Sequence, residues 1–139
     1  MSEAGDRIRL LLEADAFSAM LGIKLIDADD DWVRLSLLLM EQHLNFLGGG
    51  HGGIIFSLAD VAFGLASNSR GVMSIGIDAH ISYTAAACLG DRLEAISELV
   101  SQNRRTAVYR VDVRRDEETL AAFTGTVYVT GKPISFQAP

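Results

Sequence analysis

The residues from Gly52 to Asn68, Gly-Gly-Ile-Ile-Phe-Ser-Leu-Ala-Asp-Val-Ala-Phe-Gly-Leu-Ala-Ser-Asn, read as a helix that carries no polar stripe. A helix apolar on every side is stable only when other elements cover it, so the remainder of the chain has to wrap around this one. On this reading it is buried all round. Asp60 stands at its centre and is the only fully charged side chain between Glu41 and Arg70. A carboxylate among apolar neighbours loses hydration at a cost on the order of several kcal/mol, unless it is paired or its pKa rises. Chemistry explains such a residue better than packing does. The apolar run Ile54 to Ala66 is interrupted by Asp60 and falls short of the roughly 20 residues of a membrane span.

The flanking segments supply the cover. Ile8, Leu11, Leu12, Phe17 and Met20 recur at helical spacing among charges, which predicts an amphipathic N-terminal helix over residues 3–20 that packs as a lid. Gly22 to Ala28 and Trp32 to Leu39 read as a hairpin joined by Asp29-Asp30-Asp31. After the long helix every segment reads as strand. Ile75, Ile77, Ala79 and Ile81 alternate with polar residues or glycine, Tyr109, Val111 and Val113 alternate with charges, and 92–100 and 121–130 add two more strands. The order predicts an α+β domain, residues 1–139, in which one antiparallel sheet wraps a long central helix, with an N-terminal helical segment (1–20) and a tail (133–139).

A net charge of −6 opposes binding to a phosphate backbone, so no nucleic-acid partner is expected. The 12 basic residues are ten Arg and two Lys, and Arg forks grip phosphate and carboxylate well. The single cysteine, Cys88, excludes an internal disulfide, and the charged residues Glu3, Asp6, Arg7 and Arg9 do not resemble an export signal. Together these imply a cytoplasmic protein with no membrane partner. His43, His51 and His80 fall on different elements without ligand spacing, so no metal is expected.

Ahead of the helix lies Asn45-Phe-Leu-Gly-Gly-Gly-His51-Gly52-Gly53, whose five glycines permit tight turns and close approach by a ligand. This string, its spacing to Phe56-Ser-Leu-Ala-Asp60-Val-Ala-Phe63 and Ala66-Ser-Asn68-Ser, and the later Asn103-Arg-Arg-Thr106 and Phe123-Thr-Gly-Thr126 resemble the hotdog-fold acyl-CoA thioesterases of the phenylacetate-degradation (PaaI-like) group. The resemblance covers about residues 15–131. It implies hydrolysis of small or aromatic acyl-CoA thioesters, such as phenylacetyl-CoA-like substrates, to CoA and free acid. No cofactor is implied, because coenzyme A is part of the substrate. It also implies homodimers that pair into homotetramers, with active sites at the dimer interface.

An independent argument favours such an interface. Asp60 lies eight residues beyond Gly52, about 12 Å along a helix axis, so one carbonyl carbon cannot meet both. A second copy running in the opposite direction brings one helix start near the partner's acid. By resemblance the Gly52 amide polarises the thioester oxygen, with Gly53 beside it admitting the acyl group. A helix N-terminus, with its free N–H groups and positive dipole end, suits that task. Asp60 is then a general base or a nucleophile, and burial raises its pKa toward the working pH.

Asn45 resembles the family asparagine that positions carbonyl or water, and His51 is expected to hold the loop and helix start by a side-chain hydrogen bond. Phe56 and Phe63, seven apart, share a helix face that either fills the core or lines an acyl pocket. Gly76 stands where some relatives carry a water-holding Ser or Thr, which leaves that task open or assigns it to Ser74 or Ser82. Arg104, Arg105 and Thr106, with Arg70 and Lys132 as further candidates, are expected near the CoA phosphates. Two other readings remain: an acyl-thioester hydratase or dehydratase of the same fold, and a non-catalytic acyl-CoA-binding domain.

Overall fold

The computed structural model describes residues 2–135. Helix α1 (Glu3–Glu13) and helix α2 (Ala16–Leu21) precede strands β1 (Lys24–Asp29) and β2 (Trp32–Leu38). A short 3-10 turn (Glu41–His43) leads to α3 (Gly52–Ser67), and β3 (Val72–Tyr83), β4 (Arg92–Gln102), β5 (Thr106–Arg115) and β6 (Glu118–Pro133) follow. All six strands form one antiparallel sheet in the order β1-β2-β4-β5-β6-β3, and α3 packs against one face of it. This is the hotdog arrangement. Among the described residues no helix is long and apolar enough to cross a membrane. Of the tail expected from 133 onward, residues 136–139 lie outside the described part.

The central pairings follow from alternation. Tyr109, Val111 and Val113 of β5 and Leu93 and Ala95 of β4 are buried beneath α3 together with Val33, Leu35 and Leu37 of β2. From α3 itself Leu58, Ala59, Ala62 and Ala66 are fully buried. Covering a leucine such as Leu58 is worth about 1.5–3 kcal/mol, and the small side chains at 59, 62 and 66 let the helix settle close to the sheet. Phe63 lies on two glycines of neighbouring strands: a Cβ at Gly125 would stand 2.7 Å from its ring and one at Gly76 3.2 Å. Phe56 and Phe63 both pack against Phe123, with ring centroids 5.6 and 5.5 Å away, so the shared face fills the core.

Three expectations are corrected. The N-terminal segment is two helices rather than one, broken at Ala14-Asp15, where Asp15 takes the N-cap position of α2 in an extended conformation. Helix α3 is not covered all round within one chain. Gly53 and Asp60 are exposed, and Phe56, Ser57, Val61, Gly64 and Ser67 are only partly buried, so a stripe of the helix is open. The apolar residues of β3 do not face the core either: Ile75 and Ile77 are 51% and 60% exposed. Strand β3 is an edge with a register shift between Gly76 and Asp78, and among the described residues no strand lies on its outer side.

The far end of α3 is tied down firmly. Asn68 donates to the carbonyls of Gly64 (2.8 Å) and Ser74 (3.1 Å) and accepts from the Ser74 amide (2.9 Å). Asp31, at the hairpin tip with φ of 57°, accepts from Arg70 (2.8 Å) and from the buried Tyr109 hydroxyl (2.9 Å), and its amide donates to Ser69 (2.8 Å). Burial and the Asp31 charge together push the Tyr109 phenol well above its ordinary range, so it stays a neutral donor.

Candidate active site

The open stripe of α3 ends at its first turn in the glycine loop. His51 caps the helix by accepting the Gly53 N–H on Nδ1 at 2.8 Å, which makes it the capping residue expected of it. The bond consumes the Gly53 amide. The Gly52 N–H, by contrast, has no acceptor among the described residues, while the Gly52 carbonyl accepts from the Tyr83 hydroxyl at 3.1 Å. A helix start with one amide unclaimed and its dipole behind it is an anion-stabilising position.

Asn45 holds the loop through its oxygen. Oδ1 accepts from the amides of Leu47 (2.9 Å) and Gly49 (3.2 Å), and its side-chain NH2 has no partner among the described residues. The amide group is thereby oriented with its donor end free. Beyond it Phe46 and Leu47 are 96% and 82% exposed, two large apolar side chains at a loop tip. His43 is structural: its ring accepts from the Met40 amide at 3.0 Å and lies 3.1 Å from the Leu21 carbonyl.

Asp60 makes no hydrogen bond or ion pair among the described residues. Ser57, the neighbour able to satisfy it, donates instead to the Gly53 carbonyl at 2.7 Å. The acid opens into a cleft of about 340 Å3 between the N-terminal helices and α3, lined by Leu11, Asp15, Phe17, Val61, Gly64 and Leu65 with Asn68 at its end. Its carboxyl is reached by solvent, yet its apolar neighbours thin the water around it. Desolvation raises its pKa above 3.8, and the negative charge of Asp15 raises it further.

Sequence reasoning missed Asp15, Gly64 and Tyr83. Asp15 carries a legible signal, an Asp at a helix start followed three residues later by Ser18, whose hydroxyl donates to it. The other two have none, because a glycine inside a helix and a tyrosine at a strand end acquire meaning only from what the fold sets beside them.

The remaining predicted residues scatter. Gly76 supports the Phe63 ring, and Asn68 binds the Ser74 backbone amide and carbonyl, while the Ser74 hydroxyl donates to the Val72 carbonyl at 3.4 Å. Arg70 is committed to Asp31 and Asp30, which removes it as a free phosphate ligand. Arg104 and Arg105 stand exposed at the β4–β5 turn, built by Asn103 Oδ1 accepting from the Arg105 and Thr106 amides and the Thr106 hydroxyl. Neither guanidinium has a carboxylate partner among the described residues.

A six-stranded antiparallel sheet around one helix defines the hotdog fold, and that helix carries a capped glycine turn at its start and a lone acid two turns on. The Thioesterase superfamily profile matches residues 47–122, which include the glycine turn, α3 and its acid, and the chain belongs to that superfamily. A Deinococcus radiodurans protein is 42% identical over 117 residues, covering 83% of this chain and 80% of that one. The acyl-coenzyme A thioesterase PaaI of Escherichia coli K12 is 31% identical over 137 residues, 98% of each chain, and its structure, described as from the phenylacetic acid degradation operon, superimposes with a TM-score of 0.91 over 96% of this chain and 97% of that one. A Streptococcus mutans UA159 protein solved with acetyl-CoA bound gives a TM-score of 0.77 at 31% identity, over 81% of this chain and 91% of that one.

Proposed function

We propose that the protein hydrolyses acyl-CoA thioesters, small or aromatic in the acyl group and including phenylacetyl-CoA-like substrates, at two composite sites formed by a pair of chains. One observation carries the reading: α3 presents an unclaimed amide at Gly52 and an unpaired acid at Asp60, eight residues or about 12 Å apart on a single helix. A two-fold pairing sets the Gly52 end of one copy against Asp60 of the other. The long apolar edge of β3, with Met73, Ile75, Ile77 and Tyr83 exposed, supports pairing there, since such edges are ordinarily covered. Assembly of two pairs into a homotetramer agrees with the family resemblance. The exposed free thiol of Cys88 fits a reducing, cytoplasmic setting.

In this reading the thioester oxygen accepts from the Gly52 N–H and the Asn45 amide steadies the carbonyl or the water. Asp60, its pKa raised, takes a proton from water as the oxygen attacks the carbonyl carbon. The C–S bond then breaks, the CoA sulfur receives the proton, and the carboxylic acid departs. The step consumes only water, and no cofactor is used beyond the CoA of the substrate. Arg104, Arg105 and Thr106 lie where a mobile phosphate chain can be met in solvent.

The test is release of free thiol from a panel of acyl-CoAs, followed with a thiol reagent. Turnover by the native chain and at least a hundredfold lower kcat in Asp60→Asn, with substrate affinity kept, is the expected result. Equal turnover by Asp60→Asn overturns the role of the acid. Water addition to an enoyl-CoA with no thiol release points instead to a hydratase, and binding without reaction to a carrier.

A further inference from the structure

Gly64 has no conformational or packing reason to be a glycine. It lies inside α3 without a left-handed φ, and a Cβ built on it meets no atom of the described residues within 4 Å, whereas the same atom on Gly125 or Gly76 collides with or crowds Phe63. Glycine is the poorest helix former after proline, so its presence in the interior of the central helix weakens that helix with no return inside the chain. What it does provide is space. Gly64 stands one turn beyond Asp60 on the same helix face and lines the same cleft, between Leu11, Phe17, Val61 and Leu65.

We infer that Gly64 is a specificity-determining residue that forms the floor of the acyl pocket, its missing side chain leaving room for a bulky, planar acyl group to pass from the reacting carbon at Asp60 between α3 and the N-terminal helices. The inference rests on the proposed thioesterase reading and names the part of the substrate this cleft takes. A flat aromatic tail needs close approach to one wall along its whole face, and bare helix backbone at Gly64 offers that wall. A methyl group there projects into the volume the tail would occupy. A two-carbon acyl group ends before reaching it.

The experiment compares the native chain with Gly64→Ala and Gly64→Val on acetyl-CoA and phenylacetyl-CoA by thiol release. In parallel, calorimetry measures the dissociation constants of acetonyl-CoA and S-(2-oxo-3-phenylpropyl)-CoA, thioethers that cannot be hydrolysed. Thermal melting and light-scattering mass accompany each variant. The expected result is a melting temperature for Gly64→Ala equal to or above that of the native chain and an unchanged mass. The ratio of kcat/KM for phenylacetyl-CoA to that for acetyl-CoA falls at least tenfold in Gly64→Ala and further in Gly64→Val, with the same ordering in the thioether constants. A ratio unchanged in both variants overturns the inference, as does a changed mass, which assigns the glycine to contact between chains. If the native chain releases no thiol, the thioesterase reading fails by itself, and the two thioether constants still decide whether Gly64 sets the pocket.

Discussion

Asp15, at the break between α1 and α2, lines the same cleft as Asp60 and raises its pKa by like charge. The two acids belong to segments 45 residues apart in sequence (60 minus 15). Desolvation is the larger cause of the shift and Asp15 the second. Removing the Asp15 charge therefore lowers the Asp60 pKa part of the way toward 3.8 without abolishing the shift. The acidic limb of the kcat/KM profile is expected to move to lower pH in Asp15→Asn, while Asp15→Glu keeps it near its native position. A pH–rate series on one acyl-CoA checks this, and a limb that does not move removes Asp15 from the electrostatics of the site.

A raised carboxyl pKa also has a consequence for folding. The folded state of a chain with such a group binds its proton more tightly than the unfolded state, so the ionised acid costs stability above the folded-state pKa. That cost vanishes below about 3.8, where both states are protonated. Asp60→Asn is expected to melt at higher temperature than the native chain near pH 7, with the gap closing as the pH falls below that value. Melting curves across pH 3–8, a window set by that direction of shift, read it directly. A variant less stable at neutral pH would mean that Asp60 is held by favourable partners.

The composite site can be tested by mixing. His51 caps α3, which makes Gly52 its first helical residue, and His51 itself is extended at φ −65° and ψ 134°. Proline is accepted at a first helical position, and the residue before it favours that extended conformation, so Gly52→Pro deletes the unclaimed N–H while leaving the helix in place. Gly52→Pro and Asp60→Asn are each expected to lose at least a hundredfold in kcat. Refolded together, they recover a substantial part of native activity, because each mixed pair contains one site with both groups intact. No recovery, with mixed pairs demonstrated by mass, means that each site draws both groups from a single chain.

Arg104 and Arg105 are exposed, unpaired among the described residues, and held on a turn fixed by Asn103. Replacing both with Ala is expected to raise KM for acyl-CoA several-fold with little change in kcat, and to flatten the dependence of KM on salt, as for contacts made equally in ground and transition states. A fall in kcat at constant KM would contradict a role in holding phosphate.

Much of this arrangement is legible in the amino-acid sequence. The alternation in β4 and β5 and the apolar length of α3 have single physical solutions, a sheet covered on one face and a helix beneath it. The spacing from Asn45 through His51 to Asp60 marks out the candidate site, because a capped glycine turn and a helix-borne acid are both local. Three features depended on tertiary placement. The open stripe of α3 is invisible in a sequence whose stripe residues, Phe56, Val61 and Gly64, are as apolar as the covered ones. Ile75 is exposed because it lies beside Tyr128 on the sheet face away from α3, while Gly76, paired with Val127, faces Phe63, and alternation does not encode which face is covered. Arg70 read as a free cation only because its partner Asp31 lies 39 residues earlier.

Asn68 bridges Gly64 and Ser74, so the end of α3 and the beginning of β3 form one stiff corner. The helix that bears the acid cannot slide without dragging the outermost strand, and whatever grips that strand from outside acts on the helix as on a lever. In the proposed pairing, recruitment of a companion chain and alignment of the hydrolytic groups are for this reason mechanically one event.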